Sequence, residues 1–120
     1  MMFDQRDGHI VNISSFAAKN GHAGQANYVA AKAGLIGLTQ SLAKEAGKRN
    51  VRVNAIFPGI LETPMAAHLT PEQRKSLAGA NALGRSTTLE EVAAFVMHLA
   101  GMKNVSGQVF QLDSRIGAWT

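Results

Sequence analysis

Apolar residues along this chain recur at two different periods. His9-Ile10-Val11-Asn12-Ile13-Ser14, bounded by Gly8 and a small-residue loop, is a short and mostly β-branched run. Such a run predicts a strand buried on both faces. After a loop from Ala17 to Gln25 rich in Gly, Ala and Asn, the residues Tyr28, Ala31, Leu35, Leu38, Leu42 and Ala46 return every three or four positions. That spacing predicts a long helix from about Asn27 to Arg49. Gly34 and Gly37 interrupt it, and each weakens helix propensity by about 1 kcal/mol relative to alanine. A second backbone packed closely against them is the expected reason. Val51-Arg52-Val53-Asn54-Ala55-Ile56-Phe57 then alternates as a strand does and is stopped by Pro58-Gly59.

Two further helices are marked by their starts. Thr70-Pro71-Glu72-Gln73 combines an N-cap threonine, a proline at the first helical position and a glutamine three residues after the cap; the helix it opens should end near Gly79. Thr88-Leu89-Glu90-Glu91 repeats that logic before Val92, Ala93, Phe95, Val96, Leu99 and Ala100, with Gly101 as C-cap. Gly107 to Asp113 reads as a last strand. The order strand, helix, strand, two helices, strand predicts an α/β chain of about three parallel strands joined by crossovers. It has one long helix and two shorter ones. No repeat, low-complexity tract or linker divides residues 1–120, so a single domain is expected.

Composition narrows the class without naming it. At 46% apolar and 17% charged residues, the chain has the balance of a globular domain. It contains no cysteine, which excludes disulfides and thiolate metal sites and fits a reducing compartment. No apolar stretch approaches the roughly 20 residues a membrane span needs. The start, Met1 to Asp7, lacks a basic region followed by an apolar run, so a signal peptide is not expected and a cytoplasmic location is the default. A net charge of +4 raises nucleic acid as a partner. The basic residues are scattered, however, and the nearest approach to a cluster, Lys44, Lys48, Arg49 and Arg52, has no aromatic among it to stack a base. Cations at the end of a helix suit its dipole, so no nucleic-acid partner is expected. His9, His22, His68 and His98 do not show metal-ligand spacing, so no metal is expected.

Candidate chemistry lies near the start of the long helix. Tyr28 and Lys32 are four residues apart, which places them on one helix face a turn from each other. A phenol is too weak an acid to exchange protons readily near neutrality unless a neighbouring ammonium stabilises its phenolate. Tyr28 is therefore a candidate proton donor and acceptor. Ser15 falls just beyond the first strand, and ligands of parallel α/β sheets collect beyond the carboxyl ends of strands. Its hydroxyl could hold a substrate oxygen; Ser14 is the competing candidate, and either could instead bond the backbone as loop serines do.

Three segments carry a resemblance. Gly8-His9-Ile10-Val11-Asn12-Ile13-Ser14-Ser15, then Gln25-Ala26-Asn27-Tyr28-Val29-Ala30-Ala31-Lys32-Ala33-Gly34, then Arg52-Val53-Asn54-Ala55-Ile56-Phe57-Pro58-Gly59 resemble, in order and spacing, the second half of the short-chain dehydrogenases/reductases, including 3-oxoacyl-carrier-protein reductase relatives. The resemblance covers about residues 8–113. It implies a partial Rossmann-like, doubly wound parallel sheet and an NAD(P)-dependent oxidoreductase that transfers hydride between a nicotinamide and a carbonyl or alcohol substrate. In that family the active serine lies thirteen residues before the tyrosine, which implies Ser15 rather than Ser14. It further implies Tyr28 as acid/base, and Lys32 as the residue that stabilises its phenolate and bonds the nicotinamide ribose. By the same resemblance Pro58 and Gly59 pass beneath the nicotinamide, Leu61 and Thr63 lie near its carboxamide, and Glu62 to Leu83, with Met65, His68 and Leu69, forms a substrate loop. The structural alternative for that loop is a surface helical hairpin without substrate contact.

The resemblance also has gaps. None of the twelve glycines forms G-x-G-x-x-G or the family's G-x-x-x-G-x-G, so the turn that would hold a pyrophosphate is missing. The Asn-Asn-Ala-Gly segment, the helical asparagine and the residue that chooses NAD or NADP are missing too. A chain beginning at the family's fifth strand leaves the first strand's edge open. The expectation is a truncated family member, not autonomous as an enzyme, that forms a homo-oligomer or associates with a complementary fragment. The alternative is a non-catalytic oligomerising scaffold derived from the family. Leu89 in place of a proline, and Asp113-Ser114-Arg115 in place of Asp-Gly-Gly, are expected not to touch the chemistry.

Overall fold

In the computed structural model, which describes residues 1–117, strands β1 (Gly8–Ile13), β2 (Val51–Phe57) and β3 (Val109–Gln111) form one parallel sheet in that order. Gly8 pairs with Val51 and Ile13 with Ile56; on the other side Ala55 pairs with Val109 and Phe57 with Gln111. The helices are α1 (Met2–Gln5), α2 (Ala17–Asn20), α3 (Ala26–Ala46), α4 (Pro71–Gly79) and α5 (Leu89–Gly101). Short 3-10 turns occupy Gly47–Arg49 and Pro64–Ala66. This is the partial α/β, Rossmann-like sheet the sequence predicts.

The central strand owes its position to what it buries. All seven residues of β2 are buried, and successive side chains point to opposite faces. On one face Val51 and Val53 meet Ala46 of α3, with Ile10, Leu42 and Ala43 packed around them. Each fully buried valine side chain contributes about 1.5–3 kcal/mol. A polar pair sits within the same face: Asn12 donates to Thr39 Oγ1 at 2.9 Å, and Thr39 donates to Leu35 O at 2.7 Å. On the opposite face the buried Arg52 donates to Ala100 O at 3.1 Å and to Met102 O, closing the carboxyl end of α5. Phe95 of α5 covers Phe110 of β3, with ring centroids 5.2 Å apart. Helices therefore cover both faces of the sheet.

The two capping signals are realised in full. Thr70 accepts from Gln73 N–H while Gln73 accepts from Thr70 N–H, opening α4. Thr88 and Glu91 do the same for α5, and the bonds from Thr88 hold the Glu91 carboxyl below its usual range.

Five expectations are corrected. β1 is half-buried rather than buried on both faces, and Ile13 is 48% exposed, because β1 is an edge strand among the described residues and only β2 flanks it. Gly34 and Gly37 meet no other backbone among the described residues: a Cβ on either would have open space around it there. Leu38, read as part of the buried stripe, is 52% exposed; the stripe runs instead through Leu35, Thr39, Leu42, Ala43 and Ala46, the side chains that face the sheet. The loop from Ala17 to Gln25 begins with the short α2, and the last strand is limited to three residues because its pairing with β2 ends where β2 does. No helix of the described residues is long and apolar enough to cross a membrane.

Candidate active site

The carboxyl ends of β1 and β2 lie side by side, and the segments leaving them carry most of the candidate residues. Ser14 N–H donates to Ile56 O at 2.9 Å, continuing the pairing one residue past β1. The Ser14 hydroxyl, buried, donates to Lys32 O at 2.7 Å. Its hydrogen is thus used to fasten α3 to the strand end. Ser15 is placed differently: its Oγ accepts from Ala17 N–H at 3.2 Å, at the start of α2. That bond occupies a lone pair and leaves the hydroxyl hydrogen free to donate.

Tyr28 and Lys32 lie on α3 one turn apart, and the Lys32 ammonium is 5.8 Å from the centre of the Tyr28 ring. The same ammonium donates to Ile13 O at 2.9 Å. One side chain thus joins the tyrosine's helix to the last residue of β1, two positions before Ser15. Tyr28 is 39% exposed, and among the described residues its hydroxyl makes no hydrogen bond. Two of the three ammonium hydrogens of Lys32 also remain without a protein acceptor among the described residues.

Pro58 and Gly59 follow β2 at the neighbouring strand end. Gly59 has φ of +84°, and a Cβ there would lie 3.1 Å from Asp113 Cβ and 3.4 Å from Thr87 Oγ1. Glycine is required on both counts. Leu61 and Thr63 are half-buried, and Thr63 O accepts from Ala66 N–H to start the 3-10 turn. Among the described residues no hydrogen bond joins Pro58, Leu61 or Thr63 to Ser15, Tyr28 or Lys32. The structure therefore brings Lys32 to Tyr28 and to the strand preceding Ser15, and sets the Pro58–Thr63 group at the adjacent strand end without a direct bond to them.

The segment from Glu62 to Leu83 is folded and braced. Arg74 of α4 pairs with Glu62 and donates to Ala66 O at 2.9 Å and Leu69 O at 3.3 Å. At its far end the buried Asn81 accepts from Ser114 N–H at 3.1 Å, while Leu83 N–H donates to Ser114 Oγ at 3.1 Å. Met65 and His68 are exposed. A hollow of about 320 Å³ opens between Leu83, Thr87, Phe95 and Leu112. Its lining includes Thr87 and Asp113, the two neighbours of Gly59, and none of Ser15, Tyr28 and Lys32.

Sequence reasoning missed the part played by Asp113, Ser114 and Arg115. Asp113 lies against Gly59 and bonds Arg115 Nε at 2.6 Å, with its side chain 3% exposed. Arg115 in turn lies 4.0 Å from the centre of the Phe16 ring, beside Ser15 in the chain. These residues tie both strand-end segments together, so they do touch the candidate site. The alternation of the last strand gives no hint of it, because the contacts form past the end of β3. Among the described residues no group of three His, Cys, Asp or Glu side chains could hold a metal.

A parallel sheet covered by helices on both faces, with polar side chains collected past its strand ends, is a doubly wound α/β arrangement of the kind that binds ligands at those ends. The family model described as Enoyl-(Acyl carrier protein) reductase matches residues 1–114, and the chain belongs to that family of short-chain dehydrogenases/reductases. It is 46% identical over 114 residues to the 3-oxoacyl-[acyl-carrier-protein] reductase FabG of Thermotoga maritima, covering 93% of this chain and 46% of the relative. It is 43% identical over 112 residues to carbonyl reductase family member 4 of Xenopus laevis, with the same shares covered. With the FabG of Pseudomonas aeruginosa the identity is 48% over 99 residues, 82% of this chain and 40% of the relative. The chain thus spans less than half the length of the curated relatives it matches. All are reductases by name, which makes this an oxidoreductase family.

Proposed function

We propose that this chain is the proton-transfer half of an NAD(P)-dependent reductase acting on a small carbonyl or alcohol compound. The observation that carries the reading is Lys32, which lies over Tyr28 and bonds the carbonyl at the end of β1. Those two contacts support a reading in which an ammonium, a phenol and the Ser15 loop act at one strand end. In this reading the Ser15 hydroxyl donates to the substrate oxygen and orients the carbonyl. Tyr28 gives that oxygen its proton in the reducing direction and removes it in the other. Lys32 stabilises Tyr28 after the proton has left.

The fit to a nicotinamide dinucleotide is one-sided. Lys32 has ammonium hydrogens free for a ribose hydroxyl, and Pro58 and Gly59, both half-buried, leave the adjacent strand end with Leu61 and Thr63 next in the chain. These residues would hold the nicotinamide end. Among the described residues no G-x-G-x-x-G or G-x-x-x-G-x-G turn joins a strand to a helix N-terminus to hold a pyrophosphate. When bound, the cofactor supplies or accepts the hydride. NAD and NADP both fit the residues present.

No phosphate site lies among the described residues, so a further polypeptide segment is part of the proposal. β1 presents an unpaired edge, Ile13 and Leu38 are exposed, and the relatives are about twice as long. A complementary polypeptide that adds a strand beside β1 and brings the phosphate turn would complete the site, and a homo-oligomer would cover further surface of α3. The same exposed surfaces favour the second reading, a non-catalytic oligomerising scaffold. Titration of the purified chain with NADH or NADPH, read by fluorescence, separates autonomous enzyme from the rest: no saturation at millimolar cofactor rules out autonomous activity. Co-expression with the amino-terminal half of the Thermotoga maritima relative then tests the proposal. Recovered reduction of a ketone supports it; an assembled pair that binds cofactor and turns nothing over favours the scaffold.

A further inference from the structure

His9 lies on the α5 side of β1, beside Arg52 in the strand register. Its partner is Asn54 of β2, a fully buried amide. Asn54 Oδ1 accepts from Gln108 N–H at 3.0 Å and Asn54 Nδ2 donates to Val105 O at 2.9 Å. These two backbone partners fix which end of the amide is oxygen and which is nitrogen. The second Nδ2 hydrogen faces His9 Nε2 at 3.0 Å. A donor facing a ring nitrogen needs a lone pair there, so His9 is neutral and carries its hydrogen on Nδ1. That nitrogen is buried and has no hydrogen-bond partner among the described residues.

We propose that the His9–Asn54 contact is an acid-sensitive latch on the segment Val105–Gln108, which leads into β3. A proton added at Nε2 would set an N–H against the Asn54 amide hydrogens. The amide cannot turn round to accept it without facing its own oxygen to Val105 O and its N–H₂ to Gln108 N–H. The contact must therefore break, and Asn54 or His9 must move. The affected segment is otherwise joined to β2 by Gly107 N–H to Val53 O at 2.7 Å, Ala55 N–H to Gln108 O at 2.9 Å and Val53 N–H to Ser106 Oγ at 3.0 Å. It also carries β3 toward Asp113, which supports Gly59. Loosening it loosens the frame of the strand-end site.

Burial and one neighbouring cation oppose protonation. Burial first, and then the Arg52 guanidinium, lower the His9 pKa from its ordinary 6.5. α5 and the turn after it bring His98 and Lys103, both exposed; α1 and the residues after it bring Asp4, Arg6 and Asp7, all exposed as well. α3 packs on the other face of the sheet. Because the folded-state pKa is below the unfolded one, the unfolded chain binds more protons in the interval between them. The latch's stability contribution is complete above the unfolded pKa and is lost as pH falls toward the lower folded value.

The test uses the whole 120-residue chain labelled with ¹⁵N. Long-range ¹H–¹⁵N correlation at about pH 7.5 should show His9 with hydrogen on Nδ1 and none on Nε2, and with a protonation midpoint below that of a free histidine. On acidification to about pH 5.5 the Gln108 amide should lose exchange protection, after correction for intrinsic rate, and the urea midpoint should fall. In His9→Gln, whose side-chain oxygen accepts from Asn54 without titrating, both pH responses should flatten. A hydrogen on Nε2 at neutral pH, a midpoint at or above the free value, or a full pH response in His9→Gln would overturn the latch. Should His9→Gln not fold, the tautomer, the midpoint and Gln108 exchange in the unaltered chain decide the matter alone.

Discussion

Lys32 donates to the carbonyl oxygen of Ile13 at 2.9 Å, linking the amino-terminal third of α3 to the last residue of β1. The Ser14 hydroxyl makes the return contact to Lys32 O at 2.7 Å. The helix and the strand end are therefore fastened at one residue through both its side chain and its main chain.

Replacing Lys32 by methionine keeps the length of the side chain and removes its donor. The bond is solvent-exposed, so the expected loss of stability is small, about 1 kcal/mol or less, read from urea midpoints. In the assembly with a complementary amino-terminal half the same variant should lose turnover far more than it loses stability. Equal losses of both would reduce Lys32 to a structural tether.

Gly59→Ala places a Cβ 3.1 Å from Asp113 Cβ at a φ of +84°. Strain in the left-handed region and the contact together should cost about 1–3 kcal/mol, seen as a lower urea midpoint with an unchanged slope. Combined with Asp113→Gly, which takes that Cβ away, it should cost less than the sum of the two single losses, because the clash is removed while the φ strain stays.

Arg115→Ala leaves Asp113, whose side chain is 3% exposed, without its ion pair. Breaking a buried pair from one side costs about 3–5 kcal/mol at full burial; with Arg115 itself 14% exposed, about 2–3 kcal/mol is expected here. A double-mutant cycle between Arg115→Ala and Phe16→Leu should give a coupling of about 0.5–1 kcal/mol for the ring contact. Zero coupling would mean that the 4.0 Å approach carries no energy.

Asn54→Leu removes a buried amide that bonds Val105 O, Gln108 N–H and His9 at once. Left without partners, those backbone groups should cost about 2–4 kcal/mol in total. Amide exchange should localise the loss to residues 105–108 before global unfolding.

What the sequence disclosed and what it hid divide by range. Both capping boxes and the bounds of α4 and α5 follow from residues within one turn of each other, and the alternation of Val51 to Phe57 identifies a strand without knowing its neighbours. The exposure of β1 depends on which strand lies beside it. The open space around Gly34 and Gly37 depends on what packs against α3, and neither fact is encoded nearby. Arg52 reads as one charge in an alternating strand, yet it is buried against the end of α5, some fifty residues away in the chain. At the candidate site, the four-residue spacing of Tyr28 and Lys32 was legible from helix geometry, whereas the tie from Gly59 through Asp113 and Arg115 to Phe16 joins three separate loops.

The most direct test of the account is Tyr28→Phe in the chain assembled with a complementary amino-terminal half. Removing one hydroxyl oxygen from a side chain that is 39% exposed and makes no hydrogen bond among the described residues should leave folding and cofactor binding unchanged. Ketone reduction by NADPH or NADH should fall by at least about 10²-fold, the usual contribution of a positioned acid. Turnover retained at the level of the unaltered tyrosine, in an assembly that binds cofactor normally, would contradict the assignment of Tyr28 and with it the proposed reaction.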